Sequence, residues 1–365
     1  MHGERGALAS EELKAFLDEG IRSLGKDALK LVARKPGLLL AIKRMYDGLE
    51  RAEKRRKASA SSGTDVPAFM IASVTKRCNL GCRGCYASVN SSGCVYELAP
   101  ERWEAIFKEA SDLGVAFILI AGGEPLERPD VLRSAASCHE VVFPVFTNGL
   151  LIDRNFASFF ASNRNMVPVI SLEGGRGSTD ERRGPGVFDG VMDAMRLLSE
   201  KAVLFGTSIT VTSENLDEIT SDAFISALRA KGVGVFIYVE YVPADGKSEE
   251  LAPDTEARGK LAARVSELKR VHGGIHICFP GDEEKMGGCL AAGRGFVHAN
   301  PSGGLEPCPF SPLSDSSLAD MSLKDALRSP FLKRLRESGA LAMEHLGGCS
   351  LWNRKDEVEA LLSGK

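Results

Sequence analysis

Short apolar runs alternate with amphipathic stretches of helical spacing across the middle of the chain. The predicted strands are AFMIASV (68–74), FILIAG (117–122), VVFPVFT (141–147), MVPVISL (166–172), FGTSITV (205–211) and GVFIYVEYV (234–242). Helical patterns such as PERWEAIFKEASDLG and VFDGVMDAMRLLSEK lie between them. Because parallel strands need crossover helices, this order predicts an α/β fold built as a partial (βα)6 TIM-type barrel. Active groups are then expected where strands end.

The first 66 residues have a different pattern, typical of two amphipathic helices. One begins near Ser10 and the other at Pro36, and the second ends in a basic run at 51–57. We interpret them as a helical pair that packs on the main domain and leaves its basic end in solvent. The alternative is a peripheral membrane or partner contact, because apolar 38–40 lies beside Lys43 and Arg44. ASASSGTD (58–65) is typical of a linker.

Composition and charge exclude several classes of protein. The chain has 365 residues, 44% of them hydrophobic and 26% charged, and a formal net charge of -3. This balance argues against nucleic-acid binding through bulk positive charge. We find no apolar run of about 18 residues that would predict a membrane span. The N-terminus lacks the basic start and apolar run of a secretory signal, so we expect a cytoplasmic protein.

Nine cysteines in a protein expected in the reducing cytosol indicate metal or cluster ligation rather than disulfides. Three of them, Cys78, Cys82 and Cys85, lie in KRCNLGCRGCYAS with no fourth cysteine at matching spacing. A zinc site would need a fourth ligand such as Cys94 or His139. A four-iron cubane bound by three thiolates would instead leave one iron for a small molecule. Glycines 81 and 84 let the loop curl tightly.

Two ordered motifs carry a family resemblance. CNLGCRGCY and the later GGEP (122–125) resemble the signatures of the radical S-adenosylmethionine (SAM) enzymes, and the similar region extends over about 68–243. The resemblance implies a [4Fe-4S] cluster whose open iron binds SAM. It also implies reductive cleavage of SAM to a 5′-deoxyadenosyl radical, which abstracts hydrogen from a substrate. An electron donor such as flavodoxin or ferredoxin would supply the electron.

The resemblance also implies roles for individual residues. Cys78, Cys82 and Cys85 would bind the cluster, and Glu124 would accept from the methionine amino group. The cofactor would also contact Gly122, Gly123 and the backbone of Tyr86.

A further stretch, SLEGGRGSTDERRGPGVF, is similar to a family segment in which Ser171 and Glu173 would face the ribose and Arg183 the carboxylate. The family commonly has aspartate where this chain has Glu173. Asn148 and the strand end at Glu240 and Tyr241 would be cofactor or substrate neighbours. Caps, turns and surface ion pairs are the alternative interpretation of these positions.

The C-terminal cysteines resemble the family's auxiliary-cluster module, of the twitch or SPASM-like type. Cys289, Cys308 and Cys349 would bind a second [4Fe-4S] cluster, and HANPSGGLEPC predicts a hairpin. Relatives often carry a cysteine pair where Cys349 stands alone, so Cys278, His345 or substrate would fill the fourth position. Cys94 and Cys138 are interpreted as small buried hydrophobes.

These observations predict an N-terminal helical extension (1–66), a radical SAM barrel (67–250) and a C-terminal region (251–365). The auxiliary iron-sulfur domain would lie within the last, at about 289–349. The function implied by the resemblance is oxidation or maturation of a small-molecule, lipid-linked or peptide substrate. The alternatives are a non-enzymatic iron-sulfur redox sensor, in which GGEP has no role, and a structural zinc protein.

Overall fold

A computed structural model describes residues 10–32, 36–90, 96–244, 246, 248–279, 286–341 and 349–364. Within these residues one curled sheet has nine strands in the order β7-β6-β5-β4-β3-β2-β1-β8-β9. The strands are β1 Phe69–Ser73, β2 Phe117–Ala121, β3 Phe143–Thr147, β4 Met166–Leu172, β5 Gly206–Val211, β6 Val235–Glu240, β7 Ile275–Phe279, β8 Phe296–Ala299 and β9 Leu305–Glu306.

Helices connect the strands and cover the outer face of the sheet. In the barrel they are α3 Tyr86–Asn90, α4 Pro100–Leu113, α5 Pro129–Ser137, α6 Arg154–Ser162, α7 Arg176–Arg183, α8 Val187–Glu200, α9 Leu216–Ile219, α10 Asp222–Ala230 and α11 Thr255–His272. The terminal helices are α1 Ser10–Val32, α2 Pro36–Ser61, α12 Leu323–Ala326, α13 Pro330–Glu337, α14 Ser350–Asn353 and α15 Lys355–Leu362.

All six predicted strands are confirmed, and their ends differ from the prediction by no more than a few residues. β1 to β6 pair in parallel with consecutive neighbours. Residues that point to the outer face, such as Met70, Ile118 and Ile170, are fully buried beneath the helices. Trp103 and Phe107 of α4 stack at 5.6 Å in the same core. Burial of this large apolar area stabilises the half-barrel.

Three further strands extend the sheet beyond the predicted six. β7 adds in parallel to β6, and the predicted hairpin is confirmed as the antiparallel pair β8–β9. β8 also pairs in parallel with β1, with Ile71 opposite His298. The short FVHA run has no periodicity that indicates this partner, because its pairing depends on chain segments more than 200 residues apart. It brings the C-terminal region beside the first strand.

The N-terminal helices lie against the amino-terminal edge of the sheet. Ile21 of α1 and Leu49 of α2 share a buried cluster with residues at the beginning of four strands: Ala68, Ala116, Val142 and Val167. Helix α2 continues to Ser61, so it occupies the first part of the predicted linker. The helical pair therefore packs on the barrel, as predicted.

The basic end of α2 was predicted to lie in solvent, but several of its arginines pair with acidic side chains and Arg56 is buried. Arg51 and Arg55 each contact Glu140 at 2.7 Å, and Arg56 contacts the buried Asp18 at 2.6 Å. Leu39 and Leu40 of the same helix are exposed. Membrane contact through these helices stays a prediction. Among the described helices, none has both the length and the apolar character needed to cross a bilayer.

Candidate functional site

The carboxyl edge of the sheet gathers the loops that carry the motifs. CNLGCRGCY follows β1, GGEP follows β2, TNG ends β3 and leads into its loop, and EGG follows β4. Because these strands are parallel, their loops emerge at one edge of the sheet. The sequence therefore predicted correctly that the motif loops meet on one face.

The three cysteines after β1 carry free thiols that influence one another. Cys78 is exposed, whereas Cys82 and Cys85 are half-buried. Burial raises the pKa of the Cys78 thiol, and nearby Glu124, Cys82 and Cys85 raise it further. Among the described residues, no group of three or more His, Cys, Asp and Glu side chains converges closely enough for a single metal ion. In a cubane each thiolate binds a different iron, so the thiols need not converge on one point.

Gly84 is required by the packing of the cysteine loop. It has φ of +66°, and a Cβ there would lie 2.2 Å from the Oη atom of Tyr241. Gly81 differs, because a Cβ would meet nothing within 4 Å. The predicted need for glycine therefore has a structural reason at position 84 but none at position 81.

The two glycines of GGEP pack against the backbone at the start of the cysteine loop. A Cβ on Gly122 would lie 2.3 Å from the Thr75 carbonyl oxygen, and one on Gly123 would lie 2.1 Å from that of Arg77. The N–H of Gly123 donates to Thr75 O at 2.8 Å, and the N–H of Glu124 donates to Arg77 O at 2.7 Å. Close approach of two backbones thus explains both glycines without reference to a ligand.

Glu124 ties the ends of β2 and β3 together from a fully buried position. Its Oε1 accepts from Leu126 N at 3.0 Å and from Thr147 Oγ1 at 2.8 Å, and its Oε2 accepts from Asn148 N at 2.7 Å. Burial raises the pKa of this carboxyl group, although the three hydrogen bonds oppose the shift. The contact with the methionine amino group stays a prediction.

Asn148 links the third strand end to the cysteine loop. Its Nδ2 donates to Asn79 Oδ1 at 2.7 Å and lies 4.0 Å from the Cys78 sulfur. Its Oδ1 accepts from Leu150 N at 3.0 Å. The side chain is thereby held beside the first predicted cluster cysteine.

Glu173 follows β4 and contains an unsatisfied buried atom. Oε1 accepts from Arg182 at 2.6 Å and from Arg183 Nε at 2.7 Å, whereas Oε2 is buried and has no hydrogen-bond partner among the described residues. Burial lowers the pKa of Arg183, but Glu173 and the Cys82 and Cys85 thiols outweigh it and raise the pKa overall. Burying a carboxylate oxygen without a hydrogen-bond partner costs free energy. A bound ligand whose hydroxyl group donates to Oε2 would remove this cost.

Ser171, two residues earlier, lies opposite Ser208 in the β4–β5 register and is half-buried. Glu173 lies two positions further along the chain, just beyond the end of the strand. In an extended chain, such positions face the same side. The structure therefore places the two predicted ribose contacts on one face.

Arg182 is a central residue that the sequence prediction missed. Its carbonyl accepts from Arg83 N at 2.9 Å, so α7 holds the cysteine loop. Its guanidinium donates to Thr210 Oγ1 at 2.9 Å and lies 5.7 Å from the centre of the Tyr241 ring. The sequence did offer a signal for Arg182, because it precedes Arg183 in DERRG, but only Arg183 was predicted to have a role.

A buried arginine, Arg128, supports the start of the cysteine loop and was also missed. It donates to Glu97 Oε2 at 3.2 Å and to the Val74 carbonyl at 3.2 Å. Glu97 Oε1 accepts in turn from Thr75 Oγ1 at 2.7 Å and from Lys76 N at 2.9 Å. These contacts hold the backbone immediately before the first cysteine.

Tyr86 lies between the cysteine loop and the C-terminal region. Its ring is 5.0 Å from that of Phe310, and Asn90 Nδ2 donates to Pro309 O at 2.6 Å. Burial raises the pKa of the Tyr86 hydroxyl, with smaller contributions from Cys85 and Cys308. One residue therefore lies near a cysteine of each predicted cluster.

The three C-terminal cysteines, Cys289, Cys308 and Cys349, are all buried. Of the proposed fourth ligands, Cys278 lies in β7 opposite Tyr238, whereas His345 is outside the described residues.

Two other positions considered from the sequence, His139 and Cys138, lie away from the motif loops. His139 precedes β3, so it is at the edge of the sheet opposite to the cysteine loop. Cys138 is half-buried beside it, and Cys94 is outside the described residues. His139 is therefore in the wrong place to complete a zinc site with Cys78, Cys82 and Cys85.

A cavity of about 250 Å³ opens between the motif loops and the β8–β9 hairpin. Its lining combines Gly122, Gly123 and Tyr86 with polar residues of the hairpin. It therefore connects the predicted cofactor site with the C-terminal region.

Comparison with known proteins shows which family this region resembles. Residues 72–223 match the radical SAM superfamily. This part of the chain is therefore a radical SAM domain. The chain is 26% identical over 289 residues to an AdoMet-dependent heme synthase of Methanosarcina barkeri, covering 72% of this chain and 82% of the relative. It is 27% identical to the mycofactocin maturase MftC of Mycolicibacterium smegmatis, over 79% of this chain and 78% of that protein.

Solved structures also support the fold of the chain. Streptococcus suis SuiB aligns with a TM-score of 0.65 and 17% identity, covering 79% of this chain and 72% of that one. The superfamily implies a [4Fe-4S] cluster and SAM. The grouped thiols and the unsatisfied Glu173 Oε2 fit these groups. The partial barrel expected from the sequence is thus confirmed.

Proposed function

We propose that Cys78, Cys82 and Cys85 hold a [4Fe-4S] cluster, and that the enzyme uses it to oxidise or mature an organic substrate. When bound, the cluster and SAM supply a 5′-deoxyadenosyl radical that abstracts hydrogen from an unactivated carbon. The observation that carries the proposal is the unsatisfied, buried Oε2 of Glu173 beside Arg183. Neither a redox sensor nor a zinc protein gives that atom a function.

The chain's own residues would position SAM. Glu173 Oε2 would accept from a ribose hydroxyl, and Ser171 lies on the same face. Arg183 would place its positive charge near the methionine carboxylate, because it already lies close to the cysteine thiols. Glu124 would accept from the methionine amino group. Gly122, Gly123 and Tyr86 would form part of the wall, and Asn148 lies beside Cys78.

A second [4Fe-4S] cluster bound by Cys289, Cys308 and Cys349 is the next part of the proposal. Its support is the burial of the three cysteines and the contact of the Tyr86 ring, next to Cys85, with the ring of Phe310, which lies two residues after Cys308. Thiolates suit both iron-sulfur clusters and zinc, so metal analysis must decide between them. We propose the whole of 289–349 as the auxiliary module.

The substrate would enter the cavity beside Gly122 and Gly123. A volume of about 250 Å³ suits a small molecule or part of a larger one. Relatives include a heme synthase and, at 26% identity, the PqqA peptide cyclase of Rhizobium meliloti. A small-molecule or peptide substrate is therefore proposed, together with an electron donor of the flavodoxin or ferredoxin type. A lipid-linked substrate has only the exposed Leu39 and Leu40 in its favour.

The test is anaerobic reconstitution followed by incubation with dithionite and SAM. Wild-type protein should bind about eight irons and release 5′-deoxyadenosine, because two four-iron clusters are proposed. Cys82→Ala should abolish release, whereas Cys349→Ala should retain about four irons and still release it. Cys138→Ala, a half-buried thiol away from the motif loops, is the matched control and should behave as wild type.

Two results would contradict the proposal. Wild-type protein with full iron loading that releases no 5′-deoxyadenosine would favour the redox sensor. Protein that takes up zinc in preference to iron would favour the structural zinc site.

A further inference from the structure

Ser73, His298 and Glu306 form a hydrogen-bonded chain that lines the cavity. His298 Nε2 lies 2.8 Å from Ser73 Oγ, and His298 Nδ1 lies 2.7 Å from Glu306 Oε2. All three residues are buried, and all three border the cavity that also contains Gly122 and Gly123. His298 and Glu306 lie in the HANPSGGLEPC hairpin and Ser73 in the first predicted strand, but none of the functions described above uses them.

Sheet register explains why these residues meet. Ile71 of β1 is opposite His298 of β8, and His298 is opposite Glu306 of β9. Ser73 lies two residues beyond Ile71, so it shares the same face. Three strands from distant parts of the chain thereby place a hydroxyl, an imidazole and a carboxylate in one row.

The direction of the hydrogen bonds follows from the chemistry of the groups. Glu306 accepts at both oxygens, because Asn300 Nδ2 donates to Oε1 at 2.6 Å and a carboxylate has no proton to give. His298 Nδ1 is therefore the donor to Oε2. In a neutral imidazole the other nitrogen is an acceptor, so Nε2 accepts from the Ser73 hydroxyl. This is the arrangement in which a carboxylate orients a histidine that removes a proton from serine.

We propose that Ser73, His298 and Glu306 act as a proton relay for the substrate; this inference rests on the proposed function. The substrate carbon would lose a hydrogen atom to the deoxyadenosyl radical. An adjoining O–H or N–H group would give its proton to Ser73 Oγ, as the serine proton passes to His298 Nε2. The remaining electron would leave to an oxidised iron-sulfur cluster, proposed above as the auxiliary one. The substrate class is thus an alcohol or amine, oxidised to a carbonyl or imine.

The surrounding backbone favours proton transfer over acyl transfer by Ser73. An acylating serine needs free N–H donors for the oxyanion. The neighbouring N–H groups of Gly123 and Glu124 already donate to the carbonyls of Thr75 and Arg77. Ser73 is therefore better suited to pass a proton to His298 than to form a covalent bond with the substrate.

The first test needs neither substrate nor cofactor turnover. In a proton NMR spectrum of the full chain, the Nδ1–H of His298 that donates to Glu306 should give an exchange-protected signal far downfield of the backbone amides. The signal should be lost in His298→Gln and in Glu306→Gln and retained in His276→Gln. Its absence from wild-type protein, or its persistence in Glu306→Gln, would overturn the relay.

The second test compares product with 5′-deoxyadenosine. Reconstituted enzyme is given the small-molecule extract of a strain that lacks it, and the product is identified as the mass-spectrometric feature formed by wild type alone. His298→Gln and Ser73→Ala should lower the yield of product per 5′-deoxyadenosine about tenfold. His276→Gln, a buried histidine on β7 that does not line the cavity, should leave this ratio unchanged.

The outcomes separate the two proposals. Wild-type protein that forms no 5′-deoxyadenosine contradicts the proposed function. Wild-type protein that forms it, with an unchanged product ratio in His298→Gln, contradicts the relay alone. Equal loss of product and 5′-deoxyadenosine in His298→Gln also overturns the relay, because a purely structural role would lower both together.

Discussion

Arg183 donates from Nε to Oε1 of Glu173 at 2.7 Å, while the second oxygen of the same carboxylate is buried without a partner among the described residues. The ion pair orients the carboxylate, so its free oxygen faces a fixed direction. We therefore expect Glu173 to contribute to cofactor binding through Oε2.

Glu173→Gln should weaken SAM binding by roughly tenfold or more, because hydrogen bonds to a charged acceptor contribute about 1.5–3 kcal/mol. Equilibrium binding of SAM to reconstituted protein measures the effect. Glu218→Gln is the matched control: Glu218 is an exposed carboxylate nearby that accepts from Gly175 N at 2.9 Å. Equal affinities for all three proteins would remove Glu173 from the SAM site.

Gly84→Ala should destabilise the cysteine loop, whereas Gly81→Ala should not. Alanine at the positive φ of residue 84 costs about 1 kcal/mol, and its Cβ would also collide with Tyr241 Oη. Iron content after reconstitution and the midpoint of thermal unfolding measure the effect. Adding Tyr241→Phe to Gly84→Ala should recover part of the loss, since it removes the nearest atom. If Gly81→Ala and Gly84→Ala lost similar amounts of iron and thermal stability, the predicted clash between a Cβ at residue 84 and Tyr241 would have no effect.

Glu124→Ala should lower the free energy of unfolding by about 3 kcal/mol, because three donors lose their acceptor inside the protein. Glu124→Gln should cost less, since its amide oxygen can still accept from Leu126 and Thr147. Urea unfolding measures both changes. Glu127→Gln, at a half-buried carboxylate, is the control. If Glu124→Ala were as stable as this control, the three hydrogen bonds of Glu124 would not contribute to stability.

His276 should make stability depend on acid pH. Burial lowers its pKa from 6.5 to about 4, opposed in part by its hydrogen bond to Gly273 O. Because the unfolded chain binds the proton more tightly, the stabilisation is complete above pH 6.5 and is lost as pH falls toward 4. The whole effect is about 3 kcal/mol, given 1.4 kcal/mol per pKa unit.

Unfolding by urea at neutral pH and near the lowered pKa tests this expectation. Wild-type protein should lose more stability between the two conditions than His276→Gln. His139→Gln, at an exposed histidine, should lose as much stability as wild type. If wild type and His276→Gln lost equal free energy of unfolding between the two pH values, other groups would determine the acid sensitivity.

The half-barrel and its motif loops could be predicted because their signals are local. Most of the predicted strands are mainly apolar, as expected for parallel strands buried on both faces, although FGTSITV includes Thr207, Ser208 and Thr210. The strand ends then bring Cys78, Glu124, Asn148 and Glu173 to one edge without any knowledge of side-chain contacts. The roles assigned to these residues stay predictions until they are tested.

Residues that act through distant partners could not be predicted in the same way. Arg182 helps to hold the cysteine loop because it contacts Arg83 and Tyr241, which belong to other loops. The paired glycines of GGEP were expected to approach a ligand, yet they pack on the backbone of residues 75–77. Such contacts depend on how separate loops pack, and no single stretch of sequence contains that information.

Sequence alone determined the order of strands and helices, the N-terminal helical pair and the hairpin near residue 300, because periodicity and turn residues specify local structure. Only the tertiary structure decided that α1 and α2 cover the amino-terminal edge of the sheet, and that β8 pairs with β1. That pairing joins Ser73, His298 and Glu306 in one row. The physical reason is sheet register, which places residues more than 200 positions apart within hydrogen-bonding distance.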